Sequence, residues 1–119
     1  MTRKEYLTRL EKVSIDENAI KRVEEVYGHA LPTEVKQMIL MSKRSIFFDD
    51  EWRTLSPEEV IDAPNDLHVD FRKLGIVPLI DCGENDFIVY HMSDQSWSKY
   101  NIADGTIFKK RPQLSDLFR

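Results

Sequence analysis

The sequence predicts an α+β fold, an antiparallel β-meander with helices packed on one face. Three observations carry that expectation. Residues 76–110 read as consecutive strands (76–81, 86–92, 96–103 and 106–110), rich in β-branched and aromatic residues. Short turn clusters, Cys82-Gly83-Glu84-Asn85, Ser93-Asp94-Gln95 and Asp104-Gly105, separate them. Parallel neighbours need a long crossover, so strands this close must pair antiparallel. The first half instead carries caps and 3.6-residue periodicity. Finally, 119 residues with 41% hydrophobic and 10% aromatic content can bury one core, and with no repeat, low-complexity run or linker the chain reads as a single domain, 1–119.

Thr2-Arg3-Lys4-Glu5 fits a capping box, after which Tyr6, Leu7, Leu10 and Val13 form one helical stripe. A second box is expected at Ser14-Ile15-Asp16-Glu17, opening a helix whose buried stripe is Ala19, Ile20, Val23, Val26 and Tyr27. Gly28 is placed to end it in a left-handed conformation. Leu31-Pro32-Thr33 opens the next helix, with Val35, Met38, Ile39 and Ser42 facing inward. Residues 45–49 and 52–55 look like short strands around the acidic turn Asp49-Asp50-Glu51. Ser56-Pro57-Glu58-Glu59 combines a Ser N-cap, Pro at the first helical position and Glu at the third, which predicts a short helix through Val60 and Ile61. Ala63-Pro64-Asn65-Asp66 is expected to stop it, residues 67–75 to form a loop, and Leu114–Phe118 to dock as a last helical turn.

A two-residue Asp104-Gly105 turn would pair Ile102 with Ile107 and Asn101 with Phe108. The 93–96 loop would set Met92 opposite Trp97. Alternation then collects Phe87, Val89, Tyr100, Ile102 and Ile107 on a helix-packed face. Ile88, Tyr90, Met92, Trp97 and Phe108 gather on the other, with Lys99 and Asn101. That second face is too apolar to be simply solvated. Either other segments such as 46–55 cover it, or Trp97, Tyr90 and Phe108 stand partly open as aromatic anchors for a protein partner.

The balance of 21 acids against 17 bases, net −4, argues against a general nucleic-acid or anionic-membrane binder and permits a basic partner. One cysteine excludes an intrachain disulfide framework; with no apolar leader-like segment after Met1–Glu5 and no run long enough to span a bilayer, a soluble cytoplasmic protein is expected. His29, His68 and His91 are far apart, and none forms a ligand pair with another His or with Cys82. His68-x-Asp70 is the nearest approach to a metal motif, and His91, on the side of Val89, reads as a hydrogen-bonded core or edge histidine. Asp81 and Glu84 beside Cys82 raise rather than lower a thiol pKa, so packing is its expected role. Phosphate-cradling loops and nucleophile elbows are absent from the sequence. The many acids read mostly as caps, turns and solvated surface, or as a negative surface that steers a basic protein. No cofactor and no metal are expected, and no catalytic residue is nominated. The first choices for a partner surface are Asp49, Asp50, Trp52, Tyr90 and Trp97.

Val23-Glu24-Glu25-Val26-Tyr27-Gly28 followed by Leu31-Pro32-Thr33-Glu34-Val35-Lys36-Gln37-Met38-Ile39 resembles the opening signature of the SUKH superfamily. Leu55-Ser56-Pro57-Glu58-Glu59-Val60, the apolar strand and Gly-acid turn within 76–90, and the terminal strand and helical turn of 107–118 continue the likeness over about residues 15–118. That superfamily joins the yeast cell-wall-synthesis regulator of Smi/Knr type with bacterial immunity domains. The resemblance implies a non-enzymatic α+β domain that binds and neutralises a toxin, often a nuclease. A regulatory adaptor without a toxin partner is the second reading, and a small hydrolase or ligand-binding enzyme the third.

Overall fold

The computed structural model describes residues 1–48 and 52–118. Six strands form one sheet in sequence order, every neighbour antiparallel: β1 (Phe47–Phe48), β2 (Trp52–Thr54), β3 (Ile76–Gly83), β4 (Asp86–His91), β5 (Ser96–Asn101) and β6 (Ile107–Arg111). Helices α1 (Arg3–Leu10), α2 (Glu17–Tyr27) and α3 (Thr33–Met41) precede the sheet. Helices α4 (Pro57–Asp66) and α5 (Phe71–Leu74) lie between β2 and β3, and a 3₁₀ turn, Leu114–Leu117, follows β6. This is the α+β class that the meander and the helical first half predict.

Local chemistry explains most boundaries. Thr2 accepts the Glu5 amide at the start of α1, and Ser56 and Glu59 complete a reciprocal capping box at α4. Gly28 ends α2 at φ 67°, and a Cβ there would also collide with the Arg72 guanidinium. The expected second box is displaced: Asp16, not Ser14, caps α2 through the Asn18 amide. Pro64 does not stop α4. A proline there removes the amide that would bond the carbonyl of residue 60, and the Tyr27 hydroxyl donates to that Val60 carbonyl instead, at 2.7 Å. Part of the expected 67–75 loop is helical, because Asp70 caps α5 and Gly75 closes it at φ 73°.

Both hairpin registers differ by two residues from the sequence expectation. Tyr90 pairs with Trp97, and Tyr100 with Ile107. The connections close as four-residue loops, with the Gln95 amide donating to the His91 carbonyl and the Gly105 amide to the Asn101 carbonyl. A shift of two keeps every side chain on its predicted face. Pro78 is tolerated in the interior strand β3 because the register breaks immediately after it, between Pro78 and Ile80.

On the first face, α4 and α5 supply cover, with Phe71 edge-on to Tyr100 at 6.2 Å. Arg53 ties the same side together, bonding the Glu59 carboxylate at 2.8 Å and approaching Asp81 at 3.7 Å. Burial works to raise the Glu59 pKa, but the Ser56 amide, Arg53 and the Ser45 hydroxyl outweigh it and hold the carboxyl below its usual range. The second face is covered as well. Tyr6 from α1 stacks on Phe48 at 5.1 Å, and Phe118 packs against Tyr6, Phe48 and Trp52 within 5.8 Å. The segment 46–55, expected as cover, instead contributes β1 and β2 to the same sheet, and the cover over their side chains comes from α1 and the C-terminal turn.

Candidate functional site

Strand order decides which turns become neighbours. In a six-stranded meander the β3–β4 and β5–β6 turns lie at the same end of the sheet, and here they are bonded to each other. The Ile102 amide donates to the Asn85 carbonyl at 2.9 Å, and Asn101 Nδ2 donates to Asp86 at 2.8 Å. Asn101 Oδ1 meanwhile accepts the amides of Ala103 and Asp104, so one side chain shapes both tips.

The β3–β4 tip is a two-residue turn between the paired Gly83 and Asp86. Its central residues, Glu84 and Asn85, have φ of 52° and 70°. Asn accepts the left-handed region readily; Glu does so at a cost. The outcome is an exposed Glu84 carboxylate beside a half-buried Asp86 and, on the neighbouring tip, an exposed Asp104. The Thr106 backbone amide and hydroxyl hold the Asp104 carboxyl below its ordinary range. A groove of about 450 Å³ opens beside these acids, walled by Trp52, Cys82, Gly83, Glu84, Asp86 and Lys99. The Arg3 guanidinium lies 3.9 Å from the Trp52 ring centroid and the Lys99 ammonium 4.8 Å.

Three residues nominated for partner contact are buried: Trp52 is 6%, Tyr90 4% and Trp97 3% exposed. The idea that Tyr90 and Trp97 stand partly open is thereby corrected. Tyr90 and Trp97 pack edge-on at 5.1 Å as a cross-strand pair, and their face is covered. Phe108 is half-buried, and of the nominated aromatics Trp52 alone reaches the groove wall. Asp49 and Asp50 lie outside the described residues.

Of the groups considered for chemistry, His91 and Cys82 are buried in the fold, whereas His29 and His68 are exposed. His91 is buried, its Nε2 2.6 Å from the Ser98 hydroxyl, and burial followed by the Lys110 charge lowers its pKa. Nearby, the Lys110 ammonium and the Ser96 hydroxyl hold Asp94 down to about 2. Ser98 has no exposed surface, which argues for a packing role in the hydroxyl–imidazole pair. Burial pushes the Cys82 thiol up to about 12, opposite to nucleophile activation. His29 Nδ1 lies 2.8 Å from the Ala30 carbonyl, and His68 occupies a left-handed position at φ 55°. Among the described residues, no group of three or more His, Cys, Asp or Glu side chains is gathered as metal ligands, and no helix is long and apolar enough to cross a membrane.

Sequence reasoning missed the grouping of Glu84, Asp86 and Asp104, and the Asn101 link that makes it. The signal available was the meander order itself, which sets alternate turns at one end. Comparisons of the chain with protein-family models, with curated proteins and with solved structures found no match.

Proposed function

We propose that the chain is a protein-binding domain whose acid-lined sheet end captures a basic partner, and that the partner is a bacterial toxin domain neutralised by occlusion. The observation that carries this reading is the bonded pair of tips, which presents Asp104 on one tip and, on the other, Glu84 and Asp86 in the wall of an open groove where Lys99 is the one cation among the described lining residues. Clustered carboxylates speed encounter with a cationic surface and discriminate against acidic ones. Bridging by Asn101 limits the conformational entropy the tips would lose on binding. The SUKH-like motifs supply the toxin class, with nucleases as fitting targets because a nucleic-acid-binding surface is basic. The same reading puts the protein in the cytoplasm of the cell it protects and asks no chemistry of its side chains.

Co-expression with candidate toxin domains tests it. Growth should be rescued by the parent chain and lost when Glu84 and Asp104 are both reversed to Lys, with Asp49→Lys and Asp50→Lys deepening the defect. Rescue indifferent to all four reversals would remove the acidic end from the account. Turnover of a small molecule by the purified protein would remove the binding class altogether.

A further inference from the structure

The flank built by α1 and the segment leaving α3 has the opposite sign. Two shallow grooves meet at Arg9. One, about 530 Å³, is lined by Lys4, Glu5, Thr8, Arg9 and Lys12. The other, about 490 Å³, has Met1, Val13, Met41 and Ile46 for its apolar floor and Arg9 and Arg44 on its rim. Lys4, Arg9, Lys12 and Arg44 are all exposed, and none of them has an ion-pair partner among the described residues. Glu5 is the lone acid in these two linings, in a chain whose net charge is −4. Helix stability accounts for Arg9, in the last turn of α1, but not for Lys4 in its first turn, where the helix dipole disfavours a cation.

We propose that this flank docks an acidic amphipathic helix of a partner protein. Its apolar stripe would rest on Val13, Met41 and Ile46, and its carboxylates on Lys4, Arg9, Lys12 and Arg44. Lys4 and Thr8 stand one turn apart on α1 and Lys12 follows in the turn just beyond its end, a polar row to set against a partner helix. Charge complementarity selects the acid, and the apolar floor selects a peptide over a polyphosphate. A long polyanion would also meet the repulsion of the whole acidic chain, while a short acidic segment is screened from it beyond about 8 Å. The surface and its partner are independent of the acidic sheet end.

The test is fluorescence anisotropy with a labelled peptide of about 18 residues, roughly five helical turns, carrying leucines at helical spacing and glutamates on the flanks. The expected result is saturable binding that weakens about tenfold in Arg9→Glu/Arg44→Glu and in Lys4→Glu/Lys12→Glu, and is unchanged in Lys21→Glu on the exposed side of α2. The two double variants touch exposed positions only, and circular dichroism checks that each folds. Absence of saturable binding would overturn the proposal. So would equal binding of a scrambled peptide of the same composition, or tighter binding to phosphatidylserine vesicles or to a DNA oligonucleotide.

Discussion

The second face of the sheet and the acidic tips at its end are built from opposite materials. On the face, Tyr6, Phe48, Trp52 and Phe118 form one aromatic cluster, each ring centroid within 6.0 Å of at least two others, closed by elements from both ends of the chain. At the tips, Glu84 and Asp104 are exposed on turns shaped by backbone and amide bonds. The difference teaches a division of labour. Aromatic side chains, the residues usually sought as interface anchors, are spent on holding the two halves together, and charge on rigid turns is left for recognition.

That division can be broken most forcefully at Phe118. Phe118→Ala empties the space between α1 and β1–β2 and should cost about 3–5 kcal/mol, read by chemical denaturation. A loss below about 1 kcal/mol would mean the cluster is not core. Tyr27→Phe comes next. It leaves the Val60 carbonyl, already without its helical donor because of Pro64, unsatisfied in the interior, and should cost about 1–3 kcal/mol.

A pH titration sharpens the contrast further. The buried His91 has a depressed pKa in the fold, so the unfolded chain binds its proton more readily. Stability is therefore complete above the unfolded value of about 6.5 and falls as pH drops towards the folded pKa. His91→Gln should flatten that slope in melts run across the same range. The smallest effects belong to the tips: Glu84→Lys with Asp104→Asn, which keeps an oxygen for the Thr106 amide, should change stability by no more than about 1 kcal/mol. Glu84→Gly should raise stability by up to about 1 kcal/mol, because it relieves the left-handed strain. The same change should weaken binding through the lost carboxylate, and a variant that stabilised without weakening would separate strain from function.

How far the sequence could be read depends on whether the deciding interaction is local. Caps at Thr2 and Ser56 and the left-handed Gly28 were legible because their partners lie within a few residues. Face assignment survived a two-residue register error because alternation has a period of two. Pro64 was misread as a stop because its compensation comes from Tyr27, a residue on another helix. Residues 67–75 were misread because a four-residue helix leaves too short a periodic signal. At the candidate site, acids were plentiful in the sequence, but the Asn101 bonds that bring Glu84, Asp86 and Asp104 together depend on register. The burial of Tyr90 and Trp97 depends on cover from elements distant in sequence, such as the C-terminal turn packed against β5 and β6, which no local pattern announces.

Calorimetric titration of a toxin domain that the chain rescues in cells, against the parent protein and against Glu84→Lys/Asp104→Asn, which leaves the Asn101–Asp86 bond between the tips in place, addresses the central claim most directly. The account predicts that the variant folds normally and that its dissociation constant rises at least about tenfold at low salt, the gap narrowing as salt screens the charges. An unchanged dissociation constant in a folded variant would contradict it.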